Sequence, residues 1–499
     1  MAIPVVEGYV RSADAPVLPP PPSMVGVQGW LLKNLFSSLW NSIASILAGA
    51  FFLWLLWGFI EWGVTDAVWS GDTREACLGE GVGACWPFIR AKMPQWIYGF
   101  FPIDQRWRVN LCFLLGAAGL IPMMIPSVPY KNWNALYLLI AYPLIAFILL
   151  TGGHVAFSTT GIGAIGGVLL LSAALLPVLA FGVEEGVRRN ALGLIFAAAA
   201  LLIWIATLWI NTPFVWLLGN VYSLGRVVVV GLLIAAAIAS GIALLAARGP
   251  GSGSVLRGWL VGWAVILLAL ILVSIDFGLQ PVETQQWGGL IVTLVVSITG
   301  IVASLPIGIL LALGRRSKMP VVKLFSVVFI ELWRGVPLIT VLFMSSVMLP
   351  LFLPPGTSFD KLLRALIGVA LFSSAYMAEV VRGGLQAIPK GQYEGAMALG
   401  LSYWHINNLI ALPQALKISI PNIVGNFISL FKDTTLVLII GLFDLLGIVQ
   451  AGLRDANWAT ASSASTGYFT VALIFWCFCF GMSRYSIFME RRLATERRR

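Results

Sequence analysis

The sequence predicts an all-α, polytopic membrane protein of about twelve transmembrane helices, and three observations carry that reading. Of 499 residues, 59% are hydrophobic and only 10% are charged, against about 25% charged in a soluble domain. Apolar runs of the roughly 20 residues needed to cross a bilayer recur along the chain. Basic residues gather in short clusters between those runs. With a mean hydropathy of +0.93, the chain cannot cover itself with polar groups in water, so hydrocarbon is its solvent. The net charge of +10 then reads as positive-inside topology and not as a nucleic-acid surface.

Residues 1–34, with Pro19 to Pro22 and no apolar signal core, read as a disordered cytoplasmic arm. An N-terminal transmembrane region, 35–152, contains the runs Leu35 to Ile60, Val109 to Ile125 and Trp133 to Leu150. Between the first two lies a periplasmic loop, 61–108, in which Trp86, Trp96 and Trp107 are expected at the membrane interface. Cys77 and Cys85 share that loop, and their spacing leaves open whether they are bonded or free. Cys112, Cys477 and Cys479 sit in apolar runs and read as inert buried residues.

A block rich in Ala, Leu, Val and Ile, 153–284, contributes Ala164 to Val183, Ala191 to Ile210, Arg226 to Ala247 and Gly258 to Phe277. Five further spans follow in 285–490: Gly288 to Leu313, Val321 to Leu351, Leu362 to Val381, Pro421 to Val449 and Tyr468 to Met482. A basic tail, 491–499, closes the chain. Lys131, Arg188, Arg189, Arg248, Arg257, Arg315, Arg316, Lys318, Arg382 and Lys390 fall on one side, whereas the loops near Ser158, Thr212 and Gln280 lack Lys and Arg. The basic side is cytoplasmic, which places both termini in the cytoplasm.

Chemistry concentrates after residue 285. The segment Ile388 to Pro413, IPKGQYEGAMALGLSYWHINNLIALP, is too long for a simple turn. Glu394 to Leu399 are good helix formers, Gly400 suits a left-handed helix end, Ser402 suits an N-cap, and Pro413 is expected to stop a second short helix. That hairpin would expose Tyr403, Trp404, Ile406, Leu409 and Ile410, apolar surface that either lipid headgroups or a partner must cover.

The hairpin resembles the "EAA" loop of binding-protein-dependent ABC importer permeases: Glu394, Ala396, Gly400, Ile410, Leu412 and Pro413 match its spacing, and Gly395 stands where the loop has its first Ala. Glu331-Leu-Trp-Arg334-Gly335-Val-Pro337-Leu338, Ala378-Glu379-Val-Val-Arg382-Gly383-Gly384 and Lys432-Asp433-Thr434-Thr435-Leu436-Val437 are similar to the polar amino-acid permease subfamily. The early segments and long outer loop resemble the M-type permeases of general L-amino-acid importers. The resemblance implies a type I permease core of five helices at the C-terminus, L-amino-acid cargo and an inner-membrane location. It also implies two separate ATPase subunits gripping the loop, a second permease subunit, preferably in a heterodimer, and a periplasmic binding protein. By that likeness Glu394 is the electrostatic anchor, Gly400 sets the hairpin angle, and Tyr403, Trp404 and Leu409 supply apolar contact.

The chain has no Gly-x-x-x-x-Gly-Lys-Ser/Thr phosphate loop, so no cofactor is expected on it and ATP belongs to the partner. His154 and His405 are the only histidines, which leaves a zinc centre unsupported. Glu331, Arg334, Glu379, Arg382, Lys432 and Asp433 are costly at bilayer depth and need partners or water. Spacing of i,i+3 pairs Glu331 with Arg334 and Glu379 with Arg382; structural ion pairing is preferred to a role lining the route of a zwitterionic substrate. Two rivals remain: an ion-coupled secondary carrier using Glu331, Glu379 or Asp433, and a membrane-embedded enzyme or scaffold, for which no residue speaks.

Overall fold

The computed structural model describes residues 26–155, 159–181, 183–210, 215–246, 252–352 and 360–497. The chain is helical, with no strand beyond isolated bridges among the described residues. Nine of the described helices are long and apolar enough to cross a membrane, or ten when one bent pair counts as a single span. Two shorter apolar helices, Ile165–Phe181 and Ala191–Ala206, fall on the remaining runs, so each of the twelve has a helical counterpart.

The chain divides into two compact units. The first comprises residues to Lys92 with Gly452–Thr470. Of the arm, 1–25 lies outside the described residues, while Gly26–Asn34 is helical and not irregular. Leu39–Ile60 buries none of its side chains in the chain, as a helix solvated by lipid does. The segment that follows, up to Lys92, is structured and not a plain loop. Cys77 and Cys85 are disulfide-bonded, with Cα atoms 5.8 Å apart and both residues buried. Cys85 N–H donates to Thr466 Oγ1 at 2.8 Å, and Ser462 Oγ donates to the Cys77 carbonyl at 2.9 Å. Lys92 pairs with Asp455, whose carboxyl is held below the usual range by that lysine.

The second unit, Met93–Ala451 with the chain from Val471, holds the rest. Trp96 is fully buried, contrary to the expected interface position; the Trp96 carbonyl backs onto Gly289, where a Cβ would lie 2.0 Å away. Of the three cysteines in apolar runs, Cys112 is buried, but Cys477 is exposed.

Five helices frame the site: α1 Leu290–Arg315, α2 Pro320–Gly335, α3 Lys361–Gln386, α4 Lys390–Ala398 and α5 Ile406–Ile440. Pro320 begins α2 at a position where its missing N–H costs nothing. Asp360 caps α3, accepting from the Leu362 and Leu363 amides at 2.8 and 3.3 Å. The expected single span Val321 to Leu351 is bent by 105°. Its cause is local: a residue before proline is pushed out of the helical region, and Val336 and Pro337 are both extended, with ψ of 134° and 143°.

Helix association in lipid rests on close packing. Gly308 of α1 takes α3 so closely that a Cβ would meet Met377 at 2.8 Å, and Gly384 of α3 takes α5 with only 2.1 Å to Ser419 Oγ. Ser419 Oγ in turn donates to the Val380 carbonyl at 3.3 Å, tying α3 to α5. Beyond α5, Asp444 is fully buried and accepts from the Leu446 and Gly447 amides at 3.2 and 2.9 Å, capping Leu445–Gly452. The last helix runs unbroken from Ala461 to Arg497, so the basic tail, as far as it is described, continues a helix.

Candidate functional site

Between α3 and α5 the chain makes the hairpin. Ile388 is buried and Pro389 starts α4. Gly400, at φ +70°, closes α4 in a left-handed turn: Gly400 N–H donates to the Met397 carbonyl at 2.9 Å and Leu401 N–H to the Ala396 carbonyl at 3.2 Å. The next helix opens at once, with Ser402 Oγ accepting from His405 N at 3.5 Å and lying 2.7 Å from His405 Nδ1. The angle between the two helices is thus set by a hydrogen-bonded C-cap and N-cap one residue apart.

The second helix does not stop at Pro413. Tyr403–His405 passes through a π-helical turn, Ile406–Ala411, into Leu412–Asp433. A π turn shifts the backbone bonding by one residue, and Pro413 falls at the first helical positions beyond it, where a proline's missing N–H and ring are tolerated. The fourth core span therefore starts well before Pro421 and ends at Ile440 rather than Val449.

Tyr403, Leu409, Met397 and Leu399 are exposed at 52, 65, 59 and 80%. Ala396 and Ile406 are buried, so Ile406 anchors the hairpin instead of extending its apolar face. Ile410 and Leu412 are half-buried and Pro413 is exposed. The Trp404 side chain lies outside the described residues. Glu394 and Gly395 are exposed, Glu394 has no ion pair among the described residues, and nothing stands within 4 Å of a Cβ built on Gly395.

Behind the hairpin lies a charge knot. Glu379 of α3 accepts from Arg315 Nη1 at 2.8 Å and from Arg382 Nε and Nη2 at 2.9 and 2.6 Å, with Arg334 Nη1 at 3.8 Å. The expected Glu379 and Arg382 pair is present, but Glu331 pairs with Arg315 at 2.9 Å rather than with Arg334. Arg334 instead lies over the Tyr376 ring, 5.7 Å from its centroid. Three guanidiniums around one partly exposed carboxylate, with a second carboxylate beside them, tie the ends of α1, α2 and α3. Lys432 is exposed and Asp433 half-buried, and neither forms an ion pair among the described residues.

Arg315, Arg316 and Tyr393 carry much of this geometry; the sequence shows the two arginines only as loop charge and gives no signal that singles out Tyr393. Arg316 Nη1 donates to Tyr393 Oη at 3.0 Å and to the Leu385 carbonyl at 3.4 Å. The i,i+3 rule sees within one helix and could not join Arg315 to Glu379, 64 residues away. No cluster of His, Cys, Asp and Glu among the described residues could hold a metal ion.

A helical membrane core with partnered charges at the ends of its helices, a rigidly capped hairpin with an exposed apolar face, and no phosphate loop of its own is the build of a transport permease driven by another subunit. Residues 304–495 match the family described as binding-protein-dependent transport system inner membrane component. The inner membrane amino-acid ABC transporter permease protein YhdY of Escherichia coli is 40% identical over 472 residues, 94% of this chain and 93% of its own. The glutamate/glutamine/aspartate/asparagine transport system permease protein BztC of Rhodobacter capsulatus is 39% identical over 500 residues, 98% of this chain and 99% of its own. The probable amino-acid ABC transporter permease protein YckA of Bacillus subtilis is 32% identical over 203 residues, 40% of this chain but 86% of its own.

The chain belongs to the amino-acid ABC transporter permease family. It is the permease component of an amino-acid ABC importer, a multi-pass inner-membrane protein and a non-enzymatic transport subunit whose ATP is hydrolysed by a separate ATPase. That membership sets aside the ion-coupled carrier and the membrane enzyme. The block 153–284 is no peculiarity of this chain, since YhdY and BztC match at nearly full length.

Proposed function

We propose that the hairpin 388–413 is the element through which this permease is coupled to its ATPase, and that the cargo is polar L-amino acids. One observation carries the coupling: an exposed Glu394 without an ion pair among the described residues shares one short hairpin with exposed Met397, Leu399, Tyr403 and Leu409, and the hairpin's angle is locked at Gly400 and Ser402. Several large apolar side chains left exposed on one short element mark a candidate interaction surface. Glu394 is the anchor, Tyr403, Trp404 and Leu409 supply apolar contact, and Gly395, Ala396, Ile410, Leu412 and Pro413 shape the hairpin. BztC, named for glutamate, glutamine, aspartate and asparagine, supports polar cargo with broad acceptance.

Two ATPase subunits, a second and different permease subunit and a periplasmic amino-acid-binding protein complete the assembly in this reading. Residues 285–490 form the translocation core, 35–152 and 153–284 frame it within membrane lipid, both termini are cytoplasmic, and no cofactor binds this chain. Glu331, Arg334, Glu379 and Arg382 act as structural pairs rather than as a substrate path. The test is Glu394→Lys in the assembled transporter: stimulated ATP hydrolysis is expected to vanish while membrane insertion persists, and normal hydrolysis would overturn the reading.

A further inference from the structure

The two arginines that end α1 face different elements, and their partners differ in chemistry. Arg315 binds the carboxylates of Glu331 and Glu379 at 2.9 and 2.8 Å. Arg316 has no carboxylate within 4.0 Å among the described residues. Among the described residues its guanidinium meets neutral acceptors and a ring: Tyr393 Oη at 3.0 Å, the Leu385 carbonyl at 3.4 Å, and the Tyr393 ring with its centroid 5.2 Å away. The Tyr393 hydroxyl itself donates to the Leu385 carbonyl at 3.4 Å. That carbonyl belongs to the last turn of α3, where no helical N–H remains to take it. Arg316 therefore joins the end of α1, the end of α3 and the hairpin helix α4 in one triangle.

Tyr393 precedes Glu394 in sequence and is half-buried where Glu394 is exposed. The hairpin helix thus turns one residue outward and its neighbour inward onto the core. Another polar tie from α4 is slack: Gln414 Nε2 lies 3.5 Å from Gln392 Oε1, at the limit of a hydrogen bond. The carboxylate knot at Arg315 fixes the ends of the spanning helices, and the neighbouring Arg316 carries α4 on that fixed end.

We propose that Arg316 and Tyr393 are positioning residues that transmit displacement of the hairpin helix to the spanning helices. This rests on the reading of the hairpin as the ATPase contact. A pull on α4 reaches α1 through Arg316 and, one peptide unit on, reaches α2 and α3 through Arg315, Glu331 and Glu379. Without the Tyr393 hydroxyl, α4 yields under the same pull and ATP is spent with less movement of cargo.

The test uses the complete transporter in proteoliposomes, with uptake per ATP hydrolysed as the readout and subunit co-purification beside it. Tyr393→Phe keeps the ring and removes one oxygen; Arg316→Gln removes the guanidinium; Arg316→Lys still donates to Oη. Loss of about one hydrogen bond's worth of coupling is expected in Tyr393→Phe and Arg316→Gln, lowering uptake per ATP about fivefold, with assembly and stimulated hydrolysis held within about twofold. Arg316→Lys is expected to recover most of the ratio. An unchanged ratio in both variants, or uptake and hydrolysis falling together, overturns the proposal. Loss of the ATPase from Tyr393→Phe also overturns it, because the tyrosine would then belong to the contact itself. Failure of the hairpin reading shows separately, as normal hydrolysis in Glu394→Lys.

Discussion

Arg315, the last residue of α1, places one guanidinium nitrogen 2.8 Å from Glu379 of α3 and 2.9 Å from Glu331 of α2. A single side chain thus ties three helices at the end that carries the hairpin. The two carboxylates differ in depth, with side chains 16 and 54% exposed, and that difference ranks their contributions.

Glu379→Gln removes the carboxylate that Arg382 pairs with and leaves Arg315 with Glu331 alone, in a partly buried place where orphaned charge is costly. A loss of about 2 kcal/mol is expected, between the values for exposed and buried pairs. Glu331→Gln, at a more exposed carboxylate, should cost about 0.5 kcal/mol or less. Unfolding in detergent checks the order, and equal losses would contradict it.

Adjacent glycines in α3 make opposite predictions. A Cβ at Gly384 would lie 2.1 Å from Ser419 Oγ and 2.6 Å from the Ala415 carbonyl, while one at Gly383 meets nothing within 4 Å. Gly384→Ala should force α3 from α5 and cost about 1–3 kcal/mol. Gly383→Ala should be neutral or stabilising by up to about 1 kcal/mol, the helix propensity difference. Melting temperatures of the two variants separate them.

Asp444 is buried with no ion pair among the described residues, and burial pushes its carboxyl up to about 6 despite the amide hydrogen bonds it accepts. A folded-state value above the ordinary 3.8 means that protonation favours the fold. The stability is complete below pH about 4 and is lost as pH rises through about 6, to a limit of about 3 kcal/mol. Asp444→Asn keeps an acceptor for the Gly447 amide and removes the titration, so its melting temperature should fall less than that of the native protein between pH 5 and 7. Parallel profiles would refute this.

The Cys77–Cys85 bond closes a short loop, for which chain entropy gives about 2.5 kcal/mol. Reductant in denaturing conditions should expose two new thiols on one peptide, and reduction should lower the stability of the segment 61–92. A Cys77→Ser/Cys85→Ser variant should be indifferent to reductant, as measured by proteolysis of residues 61–92.

Much of this was readable from local chemistry. Twelve apolar runs were visible because lipid demands them, and the Gly400 and Ser402 caps because each is decided by its own few residues. Proline misled twice: Pro337 bends a run that composition alone joins, and Pro413 sits inside a helix because a π turn precedes it. The Arg315 to Glu379 tie spans 64 residues, and no helical periodicity links them. Spacing within α2 pointed Glu331 to Arg334, whereas Arg315 from another helix is the partner found.

The coupling role proposed for the hairpin is tested most directly at Leu399, 80% exposed beside Gly400. Leu399→Cys in the native assembly, labelled with a short thiol-attached photoreactive group, should cross-link to the ATPase subunit on illumination, and should resist a membrane-impermeant thiol reagent added outside intact cells. Labelling from outside, or cross-linking confined to lipid, would contradict the account.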